Sequence, residues 1–137
     1  MNNKAEFPSM EWMAVSKEKF NTDQQYAQIA KNWEGDLRVV LESDKSLKET
    51  TWLYWDLWHG TCREAYIEEQ SSGRKPALVI VAPYGNFVKI LSGEVGVMQA
   101  LMGRMVSVHG SMLLIMRNVP TVIDFVRCCQ EITESWL

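Results

Sequence analysis

Hydrophobic positions along the first twenty residues (Phe7, Met10, Trp12, Met13 and Phe20) follow no clean period, and Pro8 interrupts them. Residues 1–20 therefore read as an N-terminal arm that packs on the rest of the chain or on a partner, and 21–137 as one domain. Thr22 with Gln25 three positions later has the form of a capping box, and Tyr26, Ile29, Ala30 and Trp33 make a helical stripe that stops at Gly35. Period-two alternation follows. Leu37, Val39 and Leu41 share one face of a strand, and Leu53, Trp55 and Leu57 share one face of the next, with Trp52, Tyr54, Asp56 and Trp58 on the other. His59-Gly60-Thr61 predicts a tight turn into a third strand, Cys62 to Glu69, giving an antiparallel meander. Ala77 to Ala82 is a continuous apolar run, as in a strand covered on both faces.

From Phe87 the period returns to that of a helix. Phe87, Ile90 and Leu91 lie at i, i+3, i+4 before Ser92-Gly93, and Val97, Met98, Leu101 and Met102 repeat the spacing before Gly103. Met105 to His109 alternates with Val106 and Val108 on one face; Gly110 permits a reversal, and Ser111 suits the N-cap of a helix over Met112 to Met116. That helix, Met-Leu-Leu-Ile-Met, is apolar all round and is expected to be enclosed. A last helix starts near Pro120 with the stripe Val122, Phe125, Val126, Cys129, Ile132 and Trp136. The element order α, β, β, β, β, α, α, β, α, α predicts an α+β fold: one mainly antiparallel five-stranded sheet with helices packed mainly on one face.

Composition narrows the function classes. The 137 residues carry a formal net charge of −3, which argues against nucleic acid, since phosphate binding draws on clustered cations. No apolar run is long enough to span a bilayer, and the N-terminus lacks the apolar core of a secretory signal. The three cysteines, with Cys128 and Cys129 adjacent, suit a reducing compartment; together with a C-terminus that lacks a peroxisomal address, this predicts a cytoplasmic protein.

Candidate chemistry is sparse. His59 and His109 sit on separate strands with no ligand at metal spacing, so no metal or other cofactor is expected. Ser92-Gly93-Glu94-Val95-Gly96 lacks the Lys-Ser/Thr of a phosphate loop. Cys129 lies on an apolar stripe, where a thiol is inert, and the pairing of Asp56 with Glu64 reads as strand-surface carboxylates rather than an acid–base pair. No catalytic residue is expected.

The segment from Phe87 to Arg117 resembles the sterol carrier protein 2 (nonspecific lipid-transfer) family. Phe87 matches the leading aromatic, Ser92-Gly93-Glu94 the turn, Ala100 the small residue of the second short helix, Val106 and Val108 the apolar pair of the strand, and Gly110 the closing glycine. Val97 stands where the family usually has Pro, and Arg104 where it usually has Gly, with Gly103 displaced by one; a regular start to the strand, with ordinary backbone at Arg104, is expected in consequence. The resemblance holds from about Ala77 to Arg117, is weaker back to Trp33, and is absent before that. It implies an apolar tunnel between sheet and helices that holds a fatty acyl chain, a sterol or a similar lipid without catalysis. The matched positions predict Phe87, Leu91, Met98, Leu101, Met102, Leu113 and Met116 as its lining, with Trp55 from the sheet. Methionine by itself more often fills gaps in a core; the resemblance turns Met98, Met102 and Met116 into lining candidates. Lys89, Arg104 and Arg117 are the cations nearest the expected mouth, though surface charges of this kind are ordinarily just solvated.

Two alternatives remain: an accessory module of the same fold that works by self-association or by docking an enzyme, and, ranked last, an enzyme acting on an acyl substrate. A face carrying Trp52, Tyr54 and Trp58 is too apolar for a lone surface, so cover by the N-terminal arm or a two-fold homodimer is expected, along with transient membrane contact during lipid exchange.

Overall fold

The alternating segments form a sheet in the computed structural model, which describes residues 3–137. After a short strand β1 (Ala5–Phe7) and helices α1 (Met10–Thr22) and α2 (Gln24–Ile29), the chain enters β2 (Leu37–Glu42), β3 (Thr51–Trp58), β4 (Thr61–Glu68) and β5 (Leu78–Pro83). Helices α3 (Tyr84–Leu91) and α4 (Val97–Met102), strand β6 (Ser107–Gly110), helices α5 (Met112–Arg117) and α6 (Val119–Ile132), and strand β7 (Thr133–Trp136) complete it. The five-stranded sheet has the order β4-β3-β2-β5-β6. Only the β2–β5 contact is parallel; the others are antiparallel. The meander of β2, β3 and β4 turns at His59 and Gly60, both with positive φ, as a two-residue hairpin loop of the primed kind requires.

Register decides which residues face the helices. Leu37, Val39 and Leu41 pair with Trp55, Leu53 and Thr51 on one side and with Leu78, Ile80 and Ala82 on the other, so their side chains share one face, and the helices cover it. Leu41, Leu53, Trp55 and Leu57 are buried there, as the alternation predicts. The run at β5 is less enclosed than expected: Val79 and Val81, on the far face, are half-buried.

The N-terminal segment is helical and part of the core. Ser9 caps α1 by accepting from the Trp12 amide, and Trp12, Met13, Ser16 and Phe20 turn inward at i, i+1, i+4 and i+8. The boundary between 20 and 21 falls inside this helix; Met1 and Asn2 lie outside the described residues. The next helix is capped by Asp23, which accepts from the Tyr26 amide, and not by Thr22, whose hydroxyl bonds back to the Glu18 carbonyl inside α1. The last helix ends at Ile132, so Trp136 belongs to a terminal strand that pairs in parallel with β1.

The arm does not cover Trp52, Tyr54 and Trp58. It packs on the opposite, helical side, where Trp12 meets Trp55 edge to face at 6.0 Å. Arginines roof the far face instead. Arg38 lies 4.2 Å above Trp52 while bonding Glu68 through two buried contacts of 2.7 and 2.8 Å, and Arg74 lies 4.3 Å above Tyr54. These planar cations stack on the rings and leave Trp58, beside Arg63, as the exposed aromatic of the face.

Arg104 departs from the regular backbone expected of it. Its φ is +59°, in the left-handed region. The cause is the end of α4: Gly103 is the C-cap, the Met105 amide donates to the Ala100 carbonyl, and the Arg104 amide donates to the Leu101 carbonyl. This is a Schellman motif whose left-handed position, usually Gly, holds Arg. Relief of that strain makes Arg104→Gly stabilising by about 0.5–1 kcal/mol, measured by urea denaturation; an unchanged or lower midpoint would refute the assignment.

Asp23, Asp124 and Glu131 converge on Arg127 at 2.7, 2.7 and 2.9 Å and tie α6 to the junction of α1 and α2. The Arg127 guanidinium holds Asp23 well below the ordinary carboxylate range, Lys19 and Arg127 lower Glu131, and Arg38 lowers Glu68. Depressed folded pKa values contribute stability above the unfolded value and lose it as pH falls through the folded one. Thermal midpoints should hold above about pH 5 and drop steadily below about pH 4. Arg127→Ala should cost about 3 kcal/mol at neutral pH, because it strands the buried Asp124.

Candidate functional site

Between the apolar face of the sheet and α3 to α6 the side chains do not close. They leave a cavity of about 130 Å³. The sheet contributes Leu37, Val39, Leu53, Trp55, Leu57 and Ile80; α6 contributes Val122, Phe125, Val126 and Cys129, the inner stripe predicted for that helix. Trp12, Trp55 and Phe125 pack edge to face around one end, with centroid separations of 6.0 and 5.2 Å. Aliphatic side chains close the other end: Leu91 from α3, Val97 and Leu101 from α4, Val106, and Ile115 from α5. No carboxylate, imidazole, lysine or arginine lines the space; its titratable groups are the Tyr26 phenol and the Cys129 thiol, both raised well above their ordinary values by burial.

Of the residues predicted as lining, Trp55, Phe87, Leu91 and Leu101 border the cavity, whereas Met98, Met102, Leu113 and Met116 do not. Helix rotation accounts for the difference. At about 100° per residue, Val97, Ala100 and Leu101 of α4 span the inner arc, Met98 falls on its flank, and Met102 points outward at 71% exposure. In α5 Ile115 is the inward residue, Leu113 lies nearly opposite at 56% exposure, and Met116 is 49% exposed. The all-apolar helix is thus not enclosed. The sequence reading also missed Phe7, Trp12, Tyr26 and Trp33 as lining residues. Trp12 was findable, as part of the i, i+4, i+8 series Trp12, Ser16, Phe20 whose middle member is polar.

The ring of Trp55 carries an indole N–H into the centre of this core, where it must be satisfied. It donates to Ser16 Oγ at 2.9 Å, and Ser16 in turn donates to the Met13 carbonyl at 2.7 Å. The thiols of Cys62 on β4 and Cys128 on α6 are pushed up to about 12 by burial, and burial also raises Cys129 well above the ordinary thiol range. All three cysteines are free, and none has the thiolate character of a nucleophile.

The clustered titratable groups elsewhere are engaged in structure. Among the described residues Asp23, Asp124 and Cys128 place ligand atoms within 4.8 Å of one another, but Arg127 already occupies the two carboxylates. A cation there would have to expel a guanidinium and deprotonate a buried thiol. His59 contacts Glu34 at 2.6 Å in the exposed hairpin, His109 is exposed on β6, and Asp56 pairs with Arg63 at 2.9 Å across from Glu64. These contacts do not converge on the cavity. No helix among the described residues is long and apolar enough to cross a membrane.

Solved structures share this architecture. A crystal structure of sterol carrier protein 2 superposes with a TM-score of 0.84 at 24% identity, covering 93% of this chain and 99% of its own. The solution structure of a conserved hypothetical protein from Thermus thermophilus gives 0.82 at 20% identity, covering 98% and 97%. A sec-alkylsulfatase from Pseudomonas contains a more distant counterpart, with a TM-score of 0.55 at 12% identity; the match covers 82% of this chain but 16% of that enzyme. No curated protein matches the sequence. The model of the SCP-2 sterol transfer family matches residues 16–122, and with the sheet order, the helical cover and the cavity between them in place, the chain belongs to that family.

Proposed function

We propose that the protein is a non-catalytic lipid carrier that holds a fatty acyl chain, a sterol or a similar apolar molecule in the cavity between sheet and helices, in a reducing compartment such as the cytoplasm. The observation that carries this reading is the cavity's lining: overwhelmingly apolar, with no carboxylate, imidazole or amine to orient a reaction. The cavity as it stands compares with an engineered void that takes one benzene ring. A full chain therefore requires the short helices α4 and α5 to swing outward and extend the cavity into a tunnel. Each methylene buried contributes about 0.8 kcal/mol, so useful affinity needs no specific hydrogen bond.

A second reading, an accessory module acting by self-association, draws on Trp58, 41% exposed on the open face of the sheet. Sedimentation decides between them: a carrier acting alone stays monomeric, whereas a concentration-dependent dimer abolished by Trp58→Glu would favour the module.

Binding of a fluorescent polyene fatty acid tests the cavity. Affinity of saturated competitors should rise about fourfold per added methylene and then level off as the space fills. Leu101→Trp or Val97→Trp, which fill the aliphatic end, should weaken binding at least about tenfold, while the outward Leu113→Trp should change it less than about twofold. Equal effects of inward and outward substitutions would remove the cavity as the site.

A further inference from the structure

We propose that the outer surface of α4 and α5 is a docking face for an anionic lipid bilayer. This deepens the carrier reading and rests on it. The two helices form the aliphatic wall of the cavity through Leu101 and Ile115, and their other sides carry Met102, Met112, Leu113 and Met116 into solvent. A wall whose inner side meets the cargo and whose outer side is apolar and uncovered is where a chain would pass between bilayer and cavity.

Charge selects the occupant. Residues 95–123 contain no Asp or Glu, although the chain has 17 of them and a net charge of −3. The same stretch carries Arg104, just past the end of α4, and Arg117, at the last position of α5. Arg38, Arg63, Arg74 and Arg127 all form ion pairs; Arg104 and Arg117 form none among the described residues. An apolar patch flanked by two unpaired guanidiniums, on an otherwise acidic protein, matches a surface that is apolar beneath and anionic above. A second copy of the chain fits worse, because a two-fold contact sets the same patch against itself and would oppose like cations.

Vesicle flotation tests the face, using phosphatidylcholine alone and phosphatidylcholine mixed with phosphatidylserine. Binding to the anionic vesicles should be on the order of tenfold tighter, and added salt should weaken it. The pair Leu113→Ser and Met116→Ser should lower vesicle binding about tenfold, and Arg117→Gln several-fold, with fatty-acid binding in vesicle-free buffer retained. A Leu113→Cys variant labelled with an environment-sensitive dye should shift to the blue on vesicles; a label at Thr61→Cys, on the far edge of the sheet, should not. The buried native thiols leave the introduced cysteine as the reactive one. Three results would each overturn the proposal: equal binding to neutral and anionic vesicles, vesicle binding that survives the Leu113 and Met116 changes, or a dimer in solution that those changes dissociate. Loss of fatty-acid binding in the wild type, with docking intact, would instead defeat the carrier reading alone.

Discussion

The hydrogen bond from the Trp55 indole to Ser16 is the contact on which the two halves of the core depend. Trp55 sits in the middle of the central meander with its ring turned to the helical side, and an unsatisfied N–H there would carry a desolvation penalty of about 1–3 kcal/mol. Ser16 supplies the acceptor only if α1 lies across the sheet at one height and rotation. That placement sets Trp12 against Trp55, Phe7 against Trp12 at 4.8 Å, and Phe20 against Phe125 at 4.7 Å. The aromatic end of the cavity is therefore built by the N-terminal segment, α6 and the sheet together. Rings this large and rigid pack against one another before they fill space, which is one physical reason for a void beside them.

The other end is constructed differently. Each of α4 and α5 has six residues, too few to hold a helix without tertiary support, and each anchors itself by turning a narrow apolar arc inward. Backbone chemistry fixes their ends: a Schellman motif with a left-handed Arg104 closes α4, and the Ser111 side chain, accepting from the Leu114 amide, opens α5. Gly110 between them has φ of +114°, and a Cβ there would collide with the Ala77 carbonyl, so glycine is required where β6 meets β5. A rigid aromatic end and a thinly anchored aliphatic end give the cavity an obvious direction in which to expand.

Much of this was legible from the chain. Period-two alternation placed Leu37, Val39, Leu41, Leu53, Trp55 and Leu57 on one face, and burial follows that assignment. The short helices, Gly110 and the Ser111 cap were readable because turn chemistry is local. What stayed hidden involved side chains whose role depends on distant partners. Ser16 interrupts the apolar series of α1, so the helix was unreadable until its partner Trp55 was known. Trp52 and Tyr54 look like an exposed patch until Arg38 and Arg74, which are far from them in sequence, are laid over the rings. Met102 and Leu113 fit the family pattern by position, but in six-residue helices a shift of one residue turns a side chain from the cavity to solvent.

The central claim is that the space bounded by Trp12, Trp55, Phe125, Leu101 and Ile115 takes up an apolar chain. Native mass spectrometry of the protein, purified without detergent and then offered a long-chain fatty acid, tests it most directly. The account predicts a discrete one-to-one adduct that survives gentle activation and is lost in Leu101→Trp. A protein that emerges free of lipid, and gains no adduct at saturating fatty acid while remaining folded, would contradict it.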